Sequence, residues 1–302
     1  MPIPRSFKLP FFLALLIILV TCQSADRGAT SASSRKPGTS PSEPYPILLT
    51  DDTQTFHRFL LAPTRIISLV PSATQTLLSM GLGNNLIGRT EFDIDTPELR
   101  NLPSVGEGLN PDLEILLSLE PDLVIGFAGE SNPSITKHLN NSNITYFMIR
   151  PDKLEDVVDI INKLSLITNR ESLGDSIILH INTALKIVKQ KVGDIPRPKI
   201  AYVLGGEPPW VAGPGTYIHQ LIVAVGGQNV FEDLELKYAP VSLEEFFVRN
   251  IDLILSTENT YLPDKLKSLR SITLPSSFEI PGPGLGEAIL EIARVIHPQA
   301  FP

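Results

Sequence analysis

Apolar residues recur along this chain at two periods, and the switching between them predicts the elements. Residues 65–70 are apolar at nearly every position and stop at Pro71. So dense a run predicts a strand covered on both faces, as in a parallel sheet. Residues 74–80 then predict a helix, capped by Ser72 or Thr74 and closed by Gly81. Upstream, residues 47–50, the pair Asp51-Asp52 and residues 56–61 predict a short hairpin.

The same grammar returns in the second half. Residues 113–126 and 243–256 align without a gap, sharing Leu113/Leu243, Glu114/Glu244, Asp122/Asp252 and Leu123/Leu253. Each stretch predicts a short helix, a tight turn and a buried strand. A weaker echo pairs residues 77–86 with 221–230, and the opening strands at 65–70 and 199–204 precede these units by similar distances. Alternating strands and helices produce such echoes by chance as well. The order of the pieces predicts two α/β lobes of like construction.

Between the halves, Leu173, Ile177, Ile178, Ile181, Leu185, Val188 and Val192 form a stripe with helical steps, ended by Pro196 and Pro198. About 22 residues at 1.5 Å each give a helix of roughly 33 Å, the width of a small domain. One rigid helix of that length, within residues 169–194, can cross from lobe to lobe and resists hinge bending.

The first residues predict export. Arg5 and Lys8 precede an apolar run over residues 9–20, broken by Pro10 and shorter than the roughly 20 residues that span a bilayer. The run ends at Cys22, the single cysteine of the chain. A lipid-modified Cys22 is one reading, and an ordinary secretory leader with an incidental Cys is the other. Residues 24–46, rich in Ser, Thr, Gly and Pro, cannot bury enough surface to offset their entropy and predict a flexible tether. The expected layout is a leader over 1–21, a tether over 22–46, an N-terminal lobe over 47–168, the connecting helix over 169–194 and a C-terminal lobe over 195–302.

Composition narrows the function classes. Of 302 residues 42% are hydrophobic, which excludes disorder for most of the chain. Lys plus Arg number 25 against 33 Asp plus Glu, so no basic excess favours nucleic acid. One cysteine excludes a disulfide framework and a multi-thiolate metal site. No Gly-x-Ser-x-Gly elbow or phosphate loop occurs, Gly81, Gly83 and Gly88 have the wrong spacing for a dinucleotide loop, and the five histidines are scattered. An enzyme is therefore not expected, although a triad assembled in space is not forbidden.

Residues 65–74, 112–124, 209–216, 226–230 and 281–284, with His297-Pro298-Gln299-Ala300-Phe301, together resemble the helical-backbone class (class III) of bacterial solute-binding proteins. That family includes the vitamin B12-binding and iron–siderophore-binding proteins of ABC importers. Gln75 stands where Glu is usual, and Leu285 where Arg is common. The resemblance implies two Rossmann-like lobes, a cleft between them and no catalysis. It implies that Glu114 and Glu244, one on each lobe, meet arginines of a permease dimer served by ATPase subunits. It implies a lipid anchor through Cys22 on the extracytoplasmic face, a monomer, and no resident cofactor.

The same resemblance puts Phe92, Phe127, Trp210, Tyr238 and Phe278 at the cleft as candidate ligand contacts, with Glu107, Arg89 and Glu258 as polar candidates. Flat rings suit a flat macrocycle, because they bury much area at little rotamer cost. A neutral corrinoid flanked by amides is the favoured ligand. A ferric siderophore would want clustered Arg or Lys. Haem would want an axial ligand, for which Tyr238 is the candidate. A bare transition-metal ion would want a ligand-rich cluster that the sequence does not display. An exported α/β enzyme and an adhesive surface lipoprotein are the readings from other classes.

Overall fold

The computed structural model describes residues 45–129, 133–193 and 195–301; Cys22, the leader and all but the end of the tether lie outside them. The described chain opens with the expected antiparallel hairpin, β1 (Ile47–Thr50) and β2 (Phe56–Phe59), with Ile47 opposite Phe59 and Thr50 opposite Phe56. Its turn is organised by the buried Asp51 carboxylate. That group accepts from Thr53 N at 2.9 Å, Thr53 Oγ1 at 2.6 Å and Thr55 N at 3.0 Å, and meets His57 Nε2 at 2.9 Å. Tyr45 donates its hydroxyl to the Ile167 carbonyl at 2.6 Å. Tyr45 is therefore docked on the folded protein, which corrects the expectation that the tether runs to residue 46.

The N-terminal lobe follows with β3 (Ile66–Ser68), α1 (Pro71–Ser79), β4 (Leu86–Gly88), α2 (Leu113–Ser118), β5 (Leu123–Phe127), α3 (Pro133–Asn141) and β6 (Thr145–Ile149). The four strands form a parallel sheet in the order β4-β3-β5-β6. Helix α1 starts at Pro71, earlier than residue 74, and Ser72 and Thr74 lie inside it and do not cap it. The pyrrolidine ring presets the helical φ at a position whose N–H would be unbonded anyway, so Pro opens the helix as well as closing the strand.

Two helices then link the lobes, α4 (Leu154–Thr168) and α5 (Glu171–Val192), the latter 22 residues long. The C-terminal lobe contains β7 (Lys199–Gly205), β8 (Trp210–Ala212), α6 (Tyr217–Ala224), β9 (Gln228–Asn229), β10 (Tyr238–Pro240), α7 (Leu243–Val248), β11 (Leu253–Thr257), β12 (Ser271–Leu274) and α8 (Leu285–Ile296). Its sheet runs β10-β8-β7-β11-β12, with β9 pairing β7. Strands β7, β9, β11 and β12 are mutually parallel along this order, and β8 and β10 complete an antiparallel edge.

Each sheet is covered on both faces, which accounts for the near-continuous apolar strands. In the N-terminal lobe one core gathers Ile66, Leu77 and Ile125, and the other Ile67, Leu116 and Val124. In the C-terminal lobe one gathers Ile200, Leu221, Leu255 and Ile289, and the other Ala201, Phe231, Phe246 and Ile254. Helix α4 serves two of these cores, giving Ile160, Leu164 and Ile167 to the first lobe and Val157 and Ile161 to the second. On α5, Ile177 packs against both, while Ile181, Ala184, Val188 and Val192 belong to the second lobe. The helices approach closely where glycine allows it. A methyl group on Gly174 of α5 would lie 2.5 Å from Ser165 Cβ of α4.

The internal repeat is structural. Ile66 lies opposite Leu123 as Ile200 lies opposite Leu253, and the next pairs continue in the same register. Helices α2 and α7 have equal length and are followed by Glu120 and Asn250, both left-handed at φ 49° and 53°.

Candidate functional site

The carboxyl ends of two parallel sheets leave a crevice that loops can line. Here the segments that follow those ends meet across the seam of the lobes. Lys237 Nζ, before β10, reaches Asp152 Oδ2, after β6, at 2.8 Å. The Leu154 N–H at the start of α4 donates to Gln220 Oε1 at 2.7 Å. Gly282, after β12, packs against Ser72 of α1, where an added methyl would lie 3.5 Å from the Ser72 carbonyl oxygen.

On the N-terminal side, Phe92 and Phe127 line one cavity of about 370 Å³ with Leu69, Val70, Pro71, Glu107, Gly108 and Leu109. Phe92 and Leu109 are exposed, and Phe127 is half-buried at the end of β5. The 107–109 loop lies tight on the strand end because residue 108 has no side chain; a Cβ there would fall 2.1 Å from the Leu69 carbonyl oxygen.

On the C-terminal side, Trp210 and Tyr238 share a face of the β8–β10 ribbon. Trp210 pairs with Pro240 and Tyr238 with Ala212, so the alternation puts both rings on the same side, with Val211 and Ala239 buried behind. They are 46% and 43% exposed, which leaves both free to meet a ligand. Tyr261, in the loop after β11, is exposed nearby on the same lobe, and its backbone lies against Gly205 at the end of β7.

Phe278 departs from expectation. It is buried in the core beside Leu274 and Tyr202, because the short helical turn Ser276–Glu279 directs it inward. The next residue, Glu279, is half-buried, and Tyr202 donates its hydroxyl to Glu279 Oε1 at 3.1 Å. Burial is the largest influence on the Glu279 carboxyl and pushes it above the usual range, although bonds from Tyr202 and Thr257 pull the other way. The Tyr238 phenol is raised by burial first, then by the charges of Asp152 and Glu279. Leu285, where the resemblance expects Arg, is buried in the C-terminal core.

Among the polar candidates, Glu107 and Glu258 are exposed, the latter directly after β11. Arg89 is half-buried and donates from Nη1 to the Thr90 carbonyl at 3.2 Å, with its Nε buried and unpaired. Arg150, after β6, is spent on the Ala128 carbonyl at 2.6 Å, as Lys237 is on Asp152. Of these cations Lys237 is paired with a carboxylate, whereas the Arg150 and Arg89 guanidiniums bond backbone carbonyls. Leu69, Val70, Pro71 and Leu109 were not expected at the cleft. Apolar residues at the end of a buried strand carry no sequence sign that distinguishes core from cavity wall.

Glu114 and Glu244 are exposed in the first turns of α2 and α7. A hydrogen bond to its own backbone N–H, then one from the Ser242 side chain, hold the Glu244 carboxyl below its usual range. Among the described residues no group of three or more His, Cys, Asp or Glu could hold a metal ion, and no helix is long and apolar enough to cross a membrane.

The chain is 26% identical over 195 residues to the vitamin B12-binding protein of Vibrio cholerae, covering 65% of this chain and 71% of that one. It is 22% identical over 278 residues to YvrC, an ABC transporter substrate-binding lipoprotein of Bacillus subtilis, covering 86% and 88%. The solved apo structure of the periplasmic heme-binding protein RhuT from Roseiflexus sp. RS-1 matches with a TM-score of 0.68 at 21% identity, over 78% of this chain and 98% of that one. With two α/β lobes linked by helices, one of them 22 residues long, and a sequence match to the family over residues 66–271, the chain belongs to the periplasmic binding proteins, which bind solutes outside the cytoplasm and do not transform them.

Proposed function

We propose that this protein captures a corrinoid between its lobes and delivers it to the permease of an ABC importer. The observation that carries the reading is the division of aromatic surface between the lobes. Phe92 and Phe127 border an apolar cavity on one side, and Trp210 and Tyr238 share an open face on the other. Rings on two walls suit a flat macrocycle. Glu107 at the cavity and Lys237 paired with Asp152 give little clustered positive charge for an anionic cargo, which favours a neutral one. The vitamin B12-binding relative supports the same choice.

Glu114 and Glu244 are the proposed docking pair. They are exposed, occupy the same step of the internal repeat and would meet arginines of the permease, orienting the encounter more than tightening it. Cys22 is the proposed lipid anchor, a reading supported by the lipoprotein relative, and the carrier is proposed to act as a monomer.

The test is a titration of the purified protein with cyanocobalamin, haemin and several ferric siderophores, followed by fluorescence of Trp210, the single tryptophan. Saturable quenching by cyanocobalamin at micromolar concentration is expected. No response to any corrinoid removes the ligand assignment. Haem is the second reading, favoured by the exposed Tyr238 phenol as an axial ligand and by the heme-binding neighbour. It predicts a haem absorption band that Tyr238→Phe abolishes. For docking, Glu114→Arg combined with Glu244→Arg keeps ligand affinity and stops uptake; unimpaired uptake rejects the role.

A further inference from the structure

Glu279 lies outside every role assigned so far. The turn that buries Phe278 leaves Glu279 half-buried beside the carboxyl end of β11 and the middle of β7. Two donors fix it there. The Tyr202 hydroxyl reaches Oε1 at 3.1 Å, and the Thr257 hydroxyl, on the last residue of β11, reaches the same oxygen at 3.4 Å. Thr257 is itself held against Thr260 Oγ1 at 2.8 Å. Both bonds fall on one oxygen, and an ionised carboxylate has acceptor sites on each. Tyr238 stands on the same side of the sheet as Tyr202, because its cross-strand partner Ala212 belongs to the core that contains Tyr202. A half-buried carboxylate held at the end of β11, on the side of the sheet that carries the exposed rings, is set to accept from a ligand lying on that side.

We infer that Glu279 is a specificity-determining residue of the cleft, accepting hydrogen bonds from carboxamide N–H groups at the ligand edge and repelling ligand carboxylates. This rests on the macrocycle reading above and deepens it. Corrinoids carry peripheral amides, whereas haem carries two propionates, so one acidic group separates the two chemistries. An amide N–H donating to an ionised acceptor makes a charge-assisted bond. A ligand carboxylate at the same place puts like charges together where little water screens them. Tyr202 is the positioning residue, acting through Glu279.

The test uses the full chain, wild type and Glu279→Gln, with two probe pairs. One is cyanocobalamin and the monocarboxylic acid made by hydrolysing one of its propionamides. The other is haemin and its bis-amide. Wild type is expected to prefer the amide member of whichever pair binds by about tenfold or more, and Glu279→Gln to narrow the preference to about threefold, chiefly by binding the acid better. Gln is close to isosteric and still accepts from Tyr202, so the fold should persist; Tyr202→Phe, which removes the positioning donor, should narrow the preference by a smaller factor. If a macrocycle binds and the preference is the same in wild type and variants, the role of Glu279 is wrong and the macrocycle reading stands. If neither macrocycle binds wild type, that reading falls and this inference with it.

Discussion

Asp122 and Asp252 tie the two halves of the repeat to their opening strands in the same way. Asp122 accepts from the Thr64 N–H at 2.8 Å, the Thr64 hydroxyl at 3.0 Å and the Arg65 N–H at 3.1 Å. Asp252 accepts from the Lys199 N–H at 2.7 Å. Each also donates its own N–H back, to Arg65 O and Lys199 O, at 2.9 Å. Both side chains are exposed, so truncation costs the bond without stranding a buried charge. Asp122→Ala is expected to lose about 1–2 kcal/mol and Asp252→Ala about 1 kcal/mol or less. Urea unfolding of both variants checks the order; equal losses would contradict it.

The turn residues just upstream differ in a way that stability should report. Glu120 and Asn250 have φ of 49° and 53°, where a Cβ is crowded. Asn tolerates that region better than Glu. Glu120→Gly is expected to stabilise by roughly 0.5–1 kcal/mol, after the added chain entropy of glycine is deducted. Asn250→Gly is expected to be near neutral, and the same unfolding curves decide it.

Two helix glycines should respond unequally to alanine. A methyl on Gly174 would lie 2.5 Å from Ser165 Cβ, an atom fixed to the α4 backbone, so the helices must part. Gly174→Ala should therefore destabilise by about 1–3 kcal/mol despite its better helix propensity, and Ser165→Gly should restore part of the loss. A methyl on Gly286 would meet His180 Cδ2 at 2.3 Å, but that side chain is 45% exposed and can swing aside. Gly286→Ala should cost little and break only the exposed His180–Glu287 pair. Thermal melts of the three variants test the contrast.

Asp51 gives the hairpin a pH dependence. Burial alone would raise its carboxyl, but bonds from the Thr53 side chain, His57, and the Thr55 and Met148 N–H groups outweigh burial and hold it below the ordinary value. A lowered folded-state pKa means the carboxylate contributes stability above the unfolded value, near pH 4, and loses it as pH falls through the folded one. Asp51→Ala should cost about 2–4 kcal/mol at neutral pH, because it removes several bonds at once and strands the buried Met148 N–H. The gap between wild type and variant should narrow below about pH 4 in acid-unfolding curves.

The architecture was legible because both sheets are buried on two faces, which writes each strand as a solid apolar run, and because the repeat keeps Asp122/Asp252 and Leu123/Leu253 in step. The long helix was legible from its stripe. The start of α1 was misjudged because Pro71 serves as strand end and helix start together. Sequence placed Phe92 and Trp210 in loops, Phe127 after a strand and Tyr238 before a helix; the structure has Phe92 and Phe127 on one cavity and carries Trp210 and Tyr238 on strands β8 and β10. It could not distinguish Phe278 from these, since one short turn decides whether a ring faces outward or inward. Glu279 carried no signal at all: its partners Tyr202 and Thr257 are 77 and 22 residues away.

Helix α4 lends a face to the hydrophobic interior of each lobe, and α5 lies alongside it. A jaw needs a crease, and a pair of packed helices offers none without tearing apolar surface from one side. Loading should thus leave the outline of the molecule nearly constant, and small-angle scattering curves of the empty and filled protein should superimpose. Release then becomes the task of the membrane machinery, which must spread lobes that thermal motion alone leaves at one spacing.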